Sequence, residues 1–129
     1  MRVLTGTGWD VCGLDAVLVH YRMSAGGLSA DLARMDDGWR AMMARARQYA
    51  PEAMAAAEGP AHAMFERYLA RRALRTGQNP AKAFAHLRAA FRHSPRAMLT
   101  RQPKRTFLTM AGAVGAALLP AAMTRGLLG

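Results

Sequence analysis

A chain of 129 residues with 52% hydrophobic residues, 10 Met and only 7% aromatics is long enough for one modest core built from small, adaptable side chains, the make-up of a helical protein rather than a β-sandwich. Its one cysteine, Cys12, excludes an intrachain disulfide framework and fits a reducing, cytoplasmic setting, and the first residues lack the basic and apolar regions of a signal peptide. The net charge of +10 is unevenly placed: residues 1–66 hold all 8 acidic residues and 6 of the 18 basic ones, whereas residues 67–129 hold the other 12 basic residues and no acidic side chain. Such a half either faces something anionic (nucleic acid, a phospholipid surface, an acidic domain) or is simply a solvated basic face.

The opening "MRVLTGTGWDVCGLDAVLVHYRM" holds two β-like runs, Arg2–Leu4 and Leu14–Tyr21, set apart by Gly6, Gly8 and Gly13. Two strands without a third make no stable sheet, so these runs are expected either to pair with something outside this chain or to be poorly ordered. From Ser29 the period changes. Leu28, Leu32, Met35, Trp39, Met42, Ala46 and Tyr49 recur at spacings of four and three, one stripe of an amphipathic helix, with Ser29 as the expected N-cap, Asp31 in its first turn and an Asp36–Arg40 surface pair.

Pro51 ends this helix or begins a short one, and Pro60 is expected to open another, closed by Gly77. Asn79 then caps a helix starting at Pro80, with Phe84, Leu87 and Phe91 facing inward and Lys82, Arg88 and Arg92 outward. Ser94-Pro95 repeats the cap-then-proline device, and Gln102-Pro103 marks another break. Residues 29–102 therefore read as short-looped antiparallel helices. The stretch from Phe107 to Met123 carries no charge, with Lys104 and Arg105 at its edge, while Gly112, Gly115 and Pro120 weaken it as a membrane span. It reads either as an apolar helix lying on a membrane or against another domain, with Lys104, Arg105, Phe107, Leu108, Leu118 and Leu119 as the facing residues, or as a core helix of the bundle.

Several chemical motifs fail on their geometry. A dinucleotide fingerprint at Gly6 and Gly8 needs a third glycine where Val11 stands, and a helix where a strand is expected. Ser29 lacks the following glycine of a nucleophile elbow. His20, His62, His86 and His93 lack metal-site spacing; His86 and His93, seven apart, read as a solvent-facing pair. Nucleic-acid binding draws on the basic half alone, since Phe84 and Phe91 are expected on an apolar stripe rather than on a stacking platform. The hairpin around Gly77 has the flavour of one tetratricopeptide unit, but one unit is no array.

"LDAVLVHYRMSAGGLSADLARM" joins an apolar run, a Tyr-Arg pair, a small turn, a serine and a helix. This order resembles the segment just after the catalytic core of bacterial family 2 glycosyltransferases, and "YLARRAL", "HLRAAFRHSP" and "ALLP" resemble the C-terminal extension of such proteins. The resemblance implies an inverting transfer of a sugar from a nucleotide donor by a larger α/β protein. That protein's sheet would hold a divalent metal (Mg or Mn) on the diphosphate and supply a general base. Neither element has a match here, and Asp10 in "GWD" is not assigned as that base. Tyr21 and Arg22 match the family's Tyr-Arg, so Arg22 is either a diphosphate or acceptor-phosphate contact or a structural ion pair; a histidine usual in the family after that pair is Ser24 here.

The expected fold is mainly α: a short N-terminal β segment over residues 1–28, a bundle of antiparallel helices over 29–102 and an apolar, basic-flanked helix over 103–129, together a piece of a larger glycosyltransferase. Its partners would be the missing catalytic domain or another protein and an anionic membrane surface, on the cytoplasmic face of the inner membrane; the chain alone would hold no cofactor and be inert. The alternative is a free-standing basic helical module that binds anionic membrane or a protein.

Overall fold

The computed structural model describes residues 8–10, 12–19 and 31–118. Among them lie five helices and no strand: α1 (Leu32–Tyr49), α2 (Pro51–Arg75), α3 (Pro80–His93), α4 (Pro95–Thr100) and α5 (Pro103–Leu118). The chain divides into two compact units, Met1–Ala56 and Ala57–Gly129, with the boundary inside α2.

In the first unit the expected strand Leu14–Tyr21 does not form over its described part. Leu14, Val17, Leu18 and Val19 are exposed, with a bend at Asp15 and Ala16. Among the described residues there is no second strand to take the amides and carbonyls of this run, and a lone strand is not stable by itself. The other expected run, Arg2–Leu4, lies outside the described residues. Helix α1 starts later than Ser29: Asp31 is the N-cap, its Oδ1 accepting from the amides of Ala33 at 3.0 Å and Arg34 at 3.2 Å. The carboxylate satisfies two amides at once and complements the helix dipole, which a hydroxyl does less well. The inward stripe runs through Met43 and Ala46, with Met42 turned outward instead. The Asp36–Arg40 pair forms as the spacing predicts, with Nη2 at 2.8 Å and Nε at 2.9 Å from Asp36 Oδ2.

Pro60 does not open a helix; it sits inside the 25-residue α2. The preceding residue is Gly59, whose missing Cβ relieves the clash that normally drives a pre-proline residue out of the helical region. Ala-rich sequence on its N-terminal side favours helix throughout. Gly59 also meets the next helix: a Cβ there would lie 3.2 Å from the carbonyl oxygen of His93. Helix α2 ends at Gly77, φ +65°, in a Schellman arrangement: the Gly77 amide donates to the Leu74 carbonyl at 3.1 Å and the Gln78 amide to that of Ala73 at 3.0 Å.

The next two caps stand where the sequence puts them. Asn79 Oδ1 accepts from the Ala81 amide at 2.9 Å, Ser94 Oγ from the Ala97 amide at 3.2 Å, and Pro80 and Pro95 hold the first helical positions. The inward face of α3 is rotated from the expected one: Ala83, Leu87 and Ala90 are buried, while Phe84 is exposed and Phe91 half-buried. Small alanines on this face let the neighbouring backbones approach closely, which rings at the same positions would prevent.

Contacts fix the directions within the second unit. Glu66 meets His86 and His62 meets His93, so α2 and α3 run antiparallel. Arg67 meets Thr106, and a Cβ added at Gly112 would lie 3.5 Å from Leu74 Cδ1, so α5 runs parallel to α2. Helix α5 also packs on α3 and on the short α4, so residues 103–118 form part of the same core as residues 57–102. Replacing Gly77 by Ala forces a Cβ into the left-handed region and is expected to lower the unfolding free energy by about 1 kcal/mol in urea titration. Gly77→Asn, which tolerates that region better, is expected to cost less.

Candidate functional site

Helix α5 is amphipathic in an unusual sense. Its inward row is Thr106, Thr109 and Ala113, at 3%, 4% and 0% exposure, flanked by half-buried Gly112 and Ala116. These side chains are all small. The opposite row carries the large ones, with Phe107 70%, Leu108 67% and Leu118 78% exposed, and Met110 and Val114 exposed as well. Lys104 heads this outward row, three residues before Phe107 and four before Leu108. The helix thus buries polar and small groups and offers its apolar mass to the outside, whereas an ordinary surface helix does the reverse.

Both buried threonine hydroxyls of the seam are hydrogen-bonded. Thr109 Oγ1 donates to the Arg105 carbonyl at 2.7 Å, within its own helix. Thr106 Oγ1 accepts from Arg67 Nη1 at 3.1 Å. Arg67, only 8% exposed, projects from α2 and gathers the turn between α4 and α5 around its guanidinium. Nη1 also reaches the carbonyls of Arg101 at 3.3 Å and Gln102 at 3.2 Å, and Nη2 donates to Gln102 Oε1 at 2.9 Å. All four acceptors are neutral. Gln102 has φ +56°, a conformation costly for a non-glycine residue. It is held there because its carbonyl also accepts from the amides of Arg105 at 3.0 Å and Thr106 at 3.2 Å, so the turn is fixed from several sides.

The same Gln102 Oε1 takes a second guanidinium, from Arg105 Nη1 at 3.4 Å. Burial, and after it the positive charges of Arg105 and Arg71, hold the Arg67 pKa below its ordinary value. A carboxylate would normally stand here. Residues 67–129 contain none, and the adjacent Glu66 is engaged with His86 Nδ1 at 2.7 Å.

The histidines are placed only partly as expected. His86 and His93 do share a face of α3, and that face also meets α2: half-buried His86 pairs with Glu66, and His93, exposed as expected, stacks on His62 with ring centroids 4.8 Å apart. His62 Nε2 in turn lies 3.5 Å from Glu58 Oε1. Carboxylates therefore do neighbour these rings, and the seam ties α2 to α3. No group of three or more His, Cys, Asp or Glu able to hold a metal occurs among the described residues.

Of the residues singled out from the sequence, Lys104, Arg105, Phe107, Leu108 and Leu118 are brought together on α5, all exposed. Tyr21, Arg22 and Leu119 lie outside the described residues. Sequence reasoning missed Arg67, Gln102 and Thr106. The signal for the seam was present in "TFLTMAGA", where small residues recur at helical spacing between large ones. No helix among the described residues is long and apolar enough to cross a membrane. No protein family, curated protein or solved structure matches the chain.

Removing Arg67 takes away the donor to the Arg101 carbonyl and to the Thr106 hydroxyl at the α4–α5 turn, while the Gln102 carbonyl keeps its two amide donors. Arg67→Met is expected to cost about 2 kcal/mol of stability and to raise amide exchange over residues 101–106 more than over α3; equal protection in both proteins would contradict the role given to Arg67.

Proposed function

We propose that this chain is a basic helical module that docks on an anionic membrane surface through the outward row of α5. The carrying observation is that Phe107, Leu108, Val114 and Leu118 are exposed on a helix whose buried side chains, Thr106, Thr109 and Ala113, are all small. Lipid is favoured over a protein partner by charge: the half of the chain that bears this row carries 12 basic and no acidic side chains, complementary to a bed of anionic headgroups. Lys104 and Arg105 stand at the head of the helix, where they would meet phosphates as the apolar row enters the acyl boundary. A large apolar side chain contributes about 1.5–3 kcal/mol when fully buried, and each basic residue about 1 kcal/mol near an anionic leaflet, so a few of each give reversible, salt-sensitive attachment.

Co-sedimentation with vesicles of phosphatidylcholine and phosphatidylglycerol tests this. The wild-type chain is expected to bind only when the anionic lipid is present and to bind less at high salt. The double change Phe107→Asp and Leu108→Asp is expected to lower the partition coefficient by roughly tenfold or more with the helical circular-dichroism signal retained. Equal partition of variant and wild type would overturn the assignment.

A second reading is supported by the leader. Leu14, Val17, Leu18 and Val19 form an exposed apolar run with no strand to join among the described residues, as expected if residues 1–28 complete a sheet edge carried elsewhere. On that reading the module serves a family 2 glycosyltransferase whose donor and metal sites lie in a separate domain, and it delivers that enzyme to the membrane. Incubation of these residues with nucleotide sugars and Mg or Mn is expected to give no turnover; turnover would contradict the separation of donor site from module.

A further inference from the structure

The membrane reading explains the apolar row but not the guanidinium pair beside it. Arg67 and Arg105 converge on one neutral oxygen, Gln102 Oε1, at 2.9 and 3.4 Å, with the Arg71 charge close enough to act on Arg67. Two like charges sharing one acceptor repel, and folded proteins ordinarily place a carboxylate between them. Arg67 cannot escape to water, being 8% exposed and pinned by Arg101, Gln102 and Thr106. Its Nε and one Nη2 hydrogen take no acceptor among the described residues, since its bonds run from Nη1 and once from Nη2. Arg71, Gln102 and Arg105 are exposed, so the place where a counter-anion would sit opens outward.

We infer that Arg67 and Arg105, which share Gln102 Oε1, form a binding site for a phosphomonoester dianion. Such a group brings nearly two negative charges and three terminal oxygens, enough to bridge two guanidinium forks and take the donors that Gln102 Oε1 cannot. The site deepens the membrane reading by naming the headgroup that the basic end of α5 would grip, and it rests on that reading only for the lipid source. A free phosphate or the headgroup of phosphatidate would supply the same chemistry.

Thermal unfolding in inorganic phosphate, against chloride at matched ionic strength, isolates the site from any membrane. Phosphate is expected to raise the midpoint of the wild-type chain in a saturable way, by roughly 4 °C or more at saturation. Gln102→Glu places a carboxylate between the two guanidiniums; it is expected to raise the midpoint without ligand and to remove the phosphate effect. Arg105→Gln, at an exposed position that leaves the bonds of Arg67 intact, is expected to weaken phosphate binding at least several-fold and serves if Gln102→Glu fails to fold. A wild-type midpoint that responds equally to phosphate and chloride, or an undiminished phosphate effect in Arg105→Gln, would overturn the site.

Vesicles then separate the sources. Tighter wild-type binding to phosphatidate than to phosphatidylglycerol at equal surface potential, lost in Arg105→Gln, supports a lipid headgroup; a phosphate effect without that preference supports free phosphate in the same site. Failure of all vesicle binding alongside a saturable phosphate effect would remove the membrane reading and leave the site standing.

Discussion

Close packing of α5 on the helices beside it rests on the small threonine and alanine side chains through which it meets them. Thr106, Thr109 and Ala113 are buried, and a Cβ added at Gly112 would already touch Leu74 at 3.5 Å. A helix has one set of positions for its core and another for its outside, so filling the seam with small residues sends Phe107, Leu108, Val114 and Leu118 outward. Packing density and outward hydrophobicity are therefore one fact seen from two sides. Enlarging the seam would displace the helix, and shrinking the outer row would leave the core untouched while removing the surface that the proposed attachment needs.

The turn that delivers α5 depends on a charge rather than on apolar contact. Arg67 gathers the last carbonyls of the α4 region and the first hydroxyl of the seam, and it holds Gln102 in a left-handed conformation that a free chain would avoid. Using a guanidinium for this job fixes geometry in several directions at once, because its donors lie in one rigid plane. It also leaves a positive charge without a carboxylate in a half of the chain that has no acidic side chain to offer. Structure and electrostatics thus point the same way, toward an anionic neighbour at the basic end of an outward-facing apolar row.

Much of the helical order was legible in the sequence. Asn79-Pro80 and Ser94-Pro95 announce their caps, Gly77 its Schellman turn, and Asp36–Arg40 its surface pair, since each depends on chemistry within a few residues. What escaped depends on neighbours distant in sequence. Pro60 reads as a helix start until Gly59 is seen to remove the pre-proline clash and to admit the His93 carbonyl. Phe84 reads as core until alanines on the adjacent face are found to set the packing distance. His86 and His93 read as a solvated pair without neighbours; His93 is exposed, but the antiparallel α2 brings Glu66 to His86 and His62 to His93. The outward row was half legible: its residues and its basic edge were visible, but which side of the helix was buried was not, because hydrophobic periodicity assigns the large side chains to the core.

Spin labels read the central claim most directly. In a Cys12→Ser background, single cysteines carrying a nitroxide at Phe107, Val114 and Leu118 report on the outward row, and one at Arg88 on the exposed, charged side of α3 serves as reference. On adding vesicles rich in anionic lipid, the three row positions should gain collisions with oxygen and lose collisions with a polar nickel chelate, while position 88 keeps its aqueous signature. Unchanged accessibility at positions 107, 114 and 118, in a sample shown to contain bound vesicles, would mean that α5 does not face the lipid.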